Sequence, residues 1–286
     1  MKQFLFIVNP HAGKQKDLSN SIRQIMSQSD IEFDIIKTTH RGHAKQITQQ
    51  ADHYHTVVAV GGDGTINEII NGMQNHHQLG IIAMGSGNDF ARSVALPINN
   101  IDAALAVLSK KEIKTIDLGE INGTRFINAI GIGFDGYANH LSEKLTWITS
   151  GLKYYAAIAL ALIHYRPQTV EIELNNNTTH TPLFMLSINN GIFVGNGLPT
   201  APNAQLDDGK LDLIQVNRLR RYRLITQFPR MCQGQMQTIP EVQHQLIDQI
   251  KIVAKKPLYI HYDGEALHHT TEASIRVLPH SLSLIC

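Results

Sequence analysis

Carboxylates recur in or beside glycine-bearing turns. Asp63 sits in Gly61-Gly62-Asp63-Gly64-Thr65, Asp89 closes Gly85-Ser86-Gly87-Asn88-Asp89, Asp208 lies in Asp207-Asp208-Gly209-Lys210, and Asp263 and Glu265 flank Gly264. Glycine lets the backbone approach a ligand closely, and the N–H groups that open a helix favour a bound anion such as phosphate. Oxygen-rich turns suit Mg²⁺, which keeps several waters and takes one or two carboxylates. A carboxylate near a transferred phosphate can accept the proton of an attacking hydroxyl. Together these residue types fit phosphoryl transfer, which needs positioning, charge neutralisation and a proton acceptor. The same aspartates also suit helix N-caps, and Asp207-Asp208-Gly209 an ordinary β-turn, so the pattern alone leaves both readings open.

The elements that would carry these loops are legible in the hydrophobic pattern. Phe4–Val8, Glu32–Lys37, Thr56–Val60 and Leu79–Ala83 read as strands. Between and after them, Leu18/Ile22/Ile25/Met26, His43–Ala51, the segment from Thr65, and Ile101/Ala104/Leu105/Leu108 read as helices. This alternation predicts a parallel sheet covered by helices on both faces. Three loops, Asn9-Pro10-His11-Ala12-Gly13-Lys14, Gly61–Thr65 and Gly85–Asp89, then follow strand ends and converge on one edge of the sheet, where α/β proteins hold ligands. GxxxxGK[ST] does not occur, which excludes a lysine-cradled P-loop.

After about residue 115 short β-type runs dominate, among them Thr115–Glu120, Arg125–Ile130, Thr169–Leu174, Leu183–Asn189, Leu211–Val216, Ile247–Val253, Leu258–Tyr262, Ala273–Leu278 and Ser281–Ile285. Asn122-Gly123, Asn175–Asn177, Asp208-Gly209 and Asp263-Gly264 separate them as turns. The expectation is an antiparallel sandwich or barrel. Domains are placed at 1–118 and 119–286, with the option that the extreme C-terminus returns to the first. Gly131-Ile132-Gly133-Phe134-Asp135-Gly136 spells GxGxxG but lacks the acidic residue about 20 positions on that a dinucleotide fold wants, and reads as a turn at the domain junction. Asp263 and Glu265, two apart, would face the same side of an extended chain.

Composition narrows the partners. The 286 residues are 43% hydrophobic and 17% charged, as in an ordinary globular protein, and the formal net charge is +1. No whole-molecule field attracts nucleic acid or an anionic surface, so nucleic acid is not expected. Cys232 and Cys286 form neither a disulfide framework nor a metal-ligand spacing, and a reducing cytoplasm is the default. The apolar residues Phe4–Val8 stop at Asn9-Pro10 and read as a buried strand, too short for a signal peptide. Tyr154–Tyr165 is apolar over 12 residues, short of the ~20 that span a bilayer. It reads as a buried helix, with a membrane-surface helix as the alternative. Arg218, Arg220, Arg221 and Arg223 could seat the chain on anionic headgroups or begin a solvated helix. The His pairs His40/His43, His53/His55, His76-His77 and His268-His269 fall outside any HExxH or Cys/His metal pattern.

At this point NPHAGK, GGDGTINEIING and GSGNDFAR resemble, in order and spacing, the nucleotide-site motifs of the diacylglycerol kinase catalytic-domain family. The resemblance continues through Gly131–Gly136, Ala201–Leu213 and Asp263-Gly264-Glu265. GGDGT alone is shared with NAD kinases and phosphofructokinases; GGDGTxNE with GxGNDFAR and a late DGE is more specific. The family implies an α/β nucleotide-binding domain with a parallel sheet, then an all-β sandwich-like domain, with the active site in the cleft between them. It implies ATP lined by Asn9, Pro10, His11, Ala12, Gly13, Thr38, Gly61, Gly62, Asp63, Gly64, Thr65, Ile66, Asn67 and Ser86. His11 replaces a commoner Ser or Thr, and Ser86 a frequent Thr. An Asp–water–Mg²⁺ network would join Asp63, Asp89 and Asp208, and a structural Mg²⁺ would sit in the Asp208 loop with backbone oxygens near Gln205 and Lys210. The proton acceptor would be Glu265, supported by Asp263. The substrate implied is a membrane lipid alcohol, foremost diacylglycerol, with sphingoid, ceramide-like and phosphatidylglycerol-type acceptors open. The competing readings are an NAD kinase-like phosphotransferase and a lipid- or nucleotide-binding protein without catalysis. The chain is expected in the cytoplasm with transient contact at the inner face of the membrane; a homodimer is left open.

Overall fold

The computed structural model describes residues 2–13, 18–27, 31–145, 148, 150–217, 221–267 and 270–286. The chain divides into two compact units, residues 1–117 with 280–286, and residues 118–279.

In the first unit the order is β1 (Lys2–Val8), α1 (Ser19–Met26), β2 (Phe33–Lys37), α2 (His43–Gln49), β3 (Tyr54–Gly61), α3 (Asp63–Ile70), β4 (Gln78–Ala83), α4 (Asp89–Ser93) and α5 (Ile101–Lys110). The strands lie in the order β2-β1-β3-β4, all parallel. Val57, Val58, Ala59 and Val60 are all buried, so β3 is covered on both faces, which is why it reads as an unbroken apolar run. Phe4, Phe6, Val58 and Ile82 pack with Leu18, Ile22 and Met26 of the α1 side and Ala104, Leu105 and Leu108 of α5. Asn100 caps α5, its side chain accepting from the Ala103 N–H at 3.1 Å.

The second unit continues with β5 (Ile113–Ile121), β6 (Thr124–Phe126), β7 (Ala129–Gly133), α6 (Phe134–Lys144), α7 (Ser150–His164), β8 (Gln168–Leu174), β9 (Asn177–Leu183), β10 (Met185–Asn189), β11 (Phe193–Val194), β12 (Leu198–Pro199), β13 (Leu211–Val216), α8 (Arg221–Cys232), β14 (Val242–Ile247), β15 (Gln249–Ala254), β16 (Ile260–Tyr262), β17 (Glu265–Leu267) and β18 (Glu272–Ile285). One antiparallel sheet runs β14-β13-β10-β7-β16-β17. A second set pairs β9-β8-β15 with the start of β18. Ile130, Ile132, Leu186, Ile188, Leu213 and Ile260 of the first meet Val170, Ile172, Ile250, Ile252, Ala273 and Ile275 of the second in one core. This is the sandwich.

The sandwich is not bare. On the other face of the first sheet, Met185, Ile214 and Val216 pack under Phe134, Ala138, Ala161 and Tyr165 of the α6–α7 region. Leu211 and Leu213 point one way and Ile214 and Val216 the other, so β13 is buried throughout. A helical layer thus covers the outer face of this sheet of the sandwich. The apolar stretch Tyr154–Tyr165 forms most of α7 and runs one residue past it; Ala157, Ala161 and Tyr165, four apart, are buried while Ile163 is 58% exposed.

Other local expectations change too. Ile247–Val253 is not one strand; Asp248 separates β14 from β15. Ala273–Leu278 and Ser281–Ile285 are not two strands but one, β18, continuing through Pro279 and the positive φ of His280. Its first residues pair with β15 and its last, Ser283 and Leu284, run parallel to β4. Gly131 and Gly133 lie in β7, a central strand between β10 and β16, and not in a junction turn. No helix among the described residues is long and apolar enough to cross a membrane.

Candidate active site

The parallel sheet delivers its loops to one edge. Asn9 ties two of them together. Its backbone N–H donates to the Val60 carbonyl at 2.9 Å, its Nδ2 donates to Thr65 Oγ1 at 3.1 Å, and its Oδ1 accepts from the His11 N–H at 3.0 Å. The Ala12 N–H donates back to the Asn9 carbonyl at 3.2 Å. Pro10 and Gly13 shape the rest of this turn, and Lys14 lies outside the described residues. Thr38 is buried after β2, its N–H donating to the Val8 carbonyl at 2.8 Å. Thr65, Ile66 and Asn67 are buried, whereas Ser86 and His11 are exposed.

Helix α3 starts at Asp63 with Gly62 as N-cap and no side-chain cap. Gly61, Gly62 and Gly64 bracket this start. A Cβ placed on Gly85 would fall 2.4 Å from the Gly62 Cα. The two glycine loops thus touch backbone to backbone, which only residues without side chains permit.

Asp63 does not cap its own helix. Its carboxylate accepts from the N–H groups of Asp89 and Phe90, each at 3.2 Å, across to the start of α4. Gly87 lies between the two acids: a Cβ there would stand 3.2 Å from Asp63 Oδ2 and 3.6 Å from Asp89 Oδ2. Two carboxylates therefore flank Gly87 closely. Asn88, at φ 55°, closes the loop by exchanging hydrogen bonds with Gly85 at 2.8 and 2.9 Å, and Arg92 Nε donates to the Gly87 carbonyl at 3.2 Å. Among the described residues no three His, Cys, Asp or Glu side chains surround one point. The donor set at Gly87 fits a hydrated Mg²⁺, which needs only one or two carboxylates, and not a metal caged by protein alone.

In the second unit, Asp263 and Gly264 form a two-residue hairpin turn, φ 47° and 84°, between β16 and β17. This overturns the extended-chain expectation: Glu265 stands opposite Tyr262 in the ladder, and Asp263 is in the turn itself. The Asp263 carboxylate accepts from the N–H groups of Ile127, Asn128 and Ala129 at 2.8, 2.9 and 3.0 Å. Asn139 Nδ2 donates to the Gly264 carbonyl at 3.2 Å. Asp263 is an anchor for the hairpin. Glu265 is half-buried at the start of β17.

The Gln205–Lys210 loop is open to solvent at Gln205 and Asp208. Asp208 Oδ1 accepts from the Lys210 N–H at 2.9 Å, and Lys210 Nζ pairs with Asp248. Of the basic run, Arg218 and Arg220 lie outside the described residues, and Arg223 is held by Glu241 at 2.8 and 3.0 Å. His268 and His269 also lie outside them.

Three groups that sequence reasoning left without a role emerge here. Glu68, inside GGDGTINE, accepts from the Gly42 and Ala44 N–H groups at 2.7 and 3.0 Å and so fixes the start of α2. Asp117 is fully buried and accepts from the His280 N–H at 2.7 Å. Asp135, from the GxGxxG decoy, meets His261 at 3.0 Å in the interior. Burial alone would push the His261 pKa down; the facing Asp135 carboxylate and, further off, Asp263 outweigh this, and it lies above the ordinary histidine value. The motif position of Glu68 was a usable signal; nothing local pointed to the other two.

The chain matches the family described as the diacylglycerol kinase catalytic domain over residues 3–121, and the YegS C-terminal NAD kinase beta sandwich-like domain over residues 128–286. It is 29% identical over 275 residues to a diacylglycerol kinase of Bacillus subtilis (strain 168), covering 93% of this chain and 90% of that protein. It is 30% identical over 275 residues to a diacylglycerol kinase of Staphylococcus aureus (strain bovine RF122 / ET3-1), covering 92% and 86%. A crystal structure of a diacylglycerol kinase from Bacillus anthracis str. Sterne superposes with a TM-score of 0.74 at 25% identity, covering 99% of this chain and 96% of that one.

Proposed function

The chain belongs to the diacylglycerol kinase catalytic-domain family and is a lipid kinase, and from that premise we propose that it transfers the γ-phosphoryl group of ATP to the free hydroxyl of diacylglycerol, yielding phosphatidic acid. The observation that supports the site assignment is the approach of Asp63 and Asp89 to each other at Gly87, beside the start of α3, which no side chain caps. Diacylglycerol is favoured as acceptor by the names that the relatives bear.

In this proposal the backbone of Asn9–Gly13 and Gly61–Thr65, with Thr38, Asn67 and Ser86, holds the nucleotide, and the start of α3 faces its phosphates. Asp63 and Asp89 would hold Mg²⁺ through water. Bound Mg²⁺ would offset negative charge on the phosphates. Asp208, with carbonyl oxygens near Gln205 and Lys210, would hold a second, structural ion. The lipid hydroxyl oxygen forms a bond to the γ-phosphorus as the bond to the ADP oxygen breaks, and the hydroxyl proton passes to the Glu265 carboxylate. Asp263 keeps Glu265 in place through its three backbone contacts. The lipid stays in the bilayer, which the protein visits from the cytoplasmic side.

Radiolabelled ATP with Mg²⁺, offered mixed micelles of diacylglycerol, sphingosine or ceramide alongside soluble NAD, tests this directly. Label in phosphatidic acid is the expected outcome. Label only in a phosphorylated NAD overturns the acceptor class, and no transfer to any acceptor favours a binding protein.

A further inference from the structure

Phosphoryl transfer needs positive charge beside the transferred group, and the loops at the edge of the parallel sheet bring little of it. Among their described residues, 9–13, 61–65 and 85–89, there is no Lys or Arg, while Asp63 and Asp89 add two carboxylates. GxxxxGK[ST] does not occur, so no P-loop lysine supplies the charge. Arg92, on α4 three residues past Asp89, is a cation that the structure ties directly to one of these loops.

The tether leaves the useful end of the side chain open. Arg92 Nε donates to the Gly87 carbonyl at 3.2 Å, and Gly87 is the residue that both carboxylates flank. Bonding through Nε leaves both terminal amino groups of the guanidinium uncommitted. Arg92 is exposed, and no carboxylate among the described residues pairs with it. Asp63 accepts from the Asp89 and Phe90 N–H groups instead. A guanidinium anchored at Nε with its fork free is preorganised for a bidentate oxyanion, and phosphate is the acceptor that arginine matches best beside carboxylate.

We infer that Arg92 is a catalytic residue whose terminal amino groups bind the γ-phosphate of ATP. The inference rests on the ATP-dependent phosphotransferase reading and deepens it by naming a protein cation of that site. In the transfer the γ-phosphorus exchanges its bond to the ADP oxygen for one to the lipid oxygen, the hydroxyl proton leaves to a carboxylate, and negative charge spreads over the equatorial oxygens. Arg92 stabilises that charge without entering the proton traffic, because a guanidinium does not deprotonate in proteins. The Gly87 carbonyl fixes the fork before the nucleotide arrives, so little side-chain freedom is left to lose on binding. The same bond admits a plainer role, in which Arg92 only staples the Gly87 loop to α4.

Arg92→Gln separates the staple from the charge. Glutamine carries Nε2 at the same point along its side chain as arginine carries Nε, so a donor to Gly87 remains while the charge and the fork go. The variant should melt like the wild type yet lose at least ~100-fold in turnover of diacylglycerol, the low end for removing a preorganised charge-stabilising donor. With Mg²⁺ present, its Kd for β,γ-imido-ATP should rise at least ~10-fold while that for ADP stays within about twofold, since only the former carries a γ-phosphate for a charge-assisted bond. A second measurement needs no variant. Phenylglyoxal, which adds to accessible guanidinium groups, is applied to the wild type and the modified peptides are read by mass spectrometry. Mg²⁺ with β,γ-imido-ATP should protect Arg92, and Mg²⁺ with ADP should not. Near-normal turnover in folded Arg92→Gln, an equal loss of affinity for both nucleotides, or Arg92 modified alike with either one overturns the role of Arg92 alone. A wild type that binds neither nucleotide and transfers no phosphoryl group overturns that role together with the phosphotransferase reading beneath it.

Discussion

The His261 imidazole and the Asp135 carboxylate, 126 residues apart in sequence, meet at 3.0 Å across the backbone of Gly131. A Cβ on Gly131 would fall 2.2 Å from both partners. The glycine of β7 is there because a buried ion pair lies over it, and that pair joins α6 to the strand that leads into the Asp263-Gly264 turn.

Gly131→Ala should therefore cost about 1–3 kcal/mol, the range for overpacking a close-packed interior, because neither the strand nor the pair can withdraw far. Denaturant unfolding monitored by circular dichroism measures it; stability within experimental error of the wild type would mean that the pair relaxes freely.

The pair also makes stability depend on pH. The His261 pKa is raised in the folded protein, so its proton stabilises the fold fully below the unfolded value of about 6.5 and the benefit is lost as pH rises through the higher folded value. Melting temperatures of wild type and His261→Gln should differ most below pH ~6.5 and draw together as pH rises through the higher folded value. A gap that widens with pH would contradict a raised pKa.

Asp263 and Glu265 should separate cleanly. Asp263→Ala leaves the N–H groups of Ile127, Asn128 and Ala129 without their acceptor. At ~1–3 kcal/mol for each buried unsatisfied group, the expected loss is a few kcal/mol of stability along with activity. Glu265→Gln should melt like the wild type yet lose at least ~100-fold in turnover, the low end for removing a general base. Near-normal turnover in folded Glu265→Gln would remove it from the mechanism.

Asp63→Ala should lower turnover at least ~100-fold and also loosen the start of α4, whose first N–H groups it holds. Titrating Mg²⁺ separates the two effects. A lost metal partner raises the Mg²⁺ concentration for half-maximal activity, whereas a purely structural change lowers turnover at every Mg²⁺ concentration alike.

The features that sequence revealed were those written locally. Val57–Val60 running into Gly61-Gly62 announces a buried strand and a tight loop, because the apolar run and the glycines are contiguous. Asn122-Gly123, with φ of 48° and 81°, forms the hairpin its dipeptide predicts. What stayed hidden was set by distant partners. Gly131 looked like part of a junction turn because Asp135 and His261 meet over it only in the folded chain. That Asp263 anchors its own hairpin was hidden because its three N–H donors lie some 135 residues earlier. Pro279 looked like a strand break, but on β18 it needs no N–H of its own to keep the strand going.

That continuous strand has a consequence for how the chain is made. Residues 280–286 belong to the unit built mostly from residues 1–117, and Ser283 and Leu284 cover the open side of β4. During synthesis β4 emerges long before the segment that pairs with it, and until then its edge is an unpaired template for other strands. The sheet built from residues 1–117 is thus translated well before the strand that completes it, and the β4 edge stays open until residues 280–286 are made.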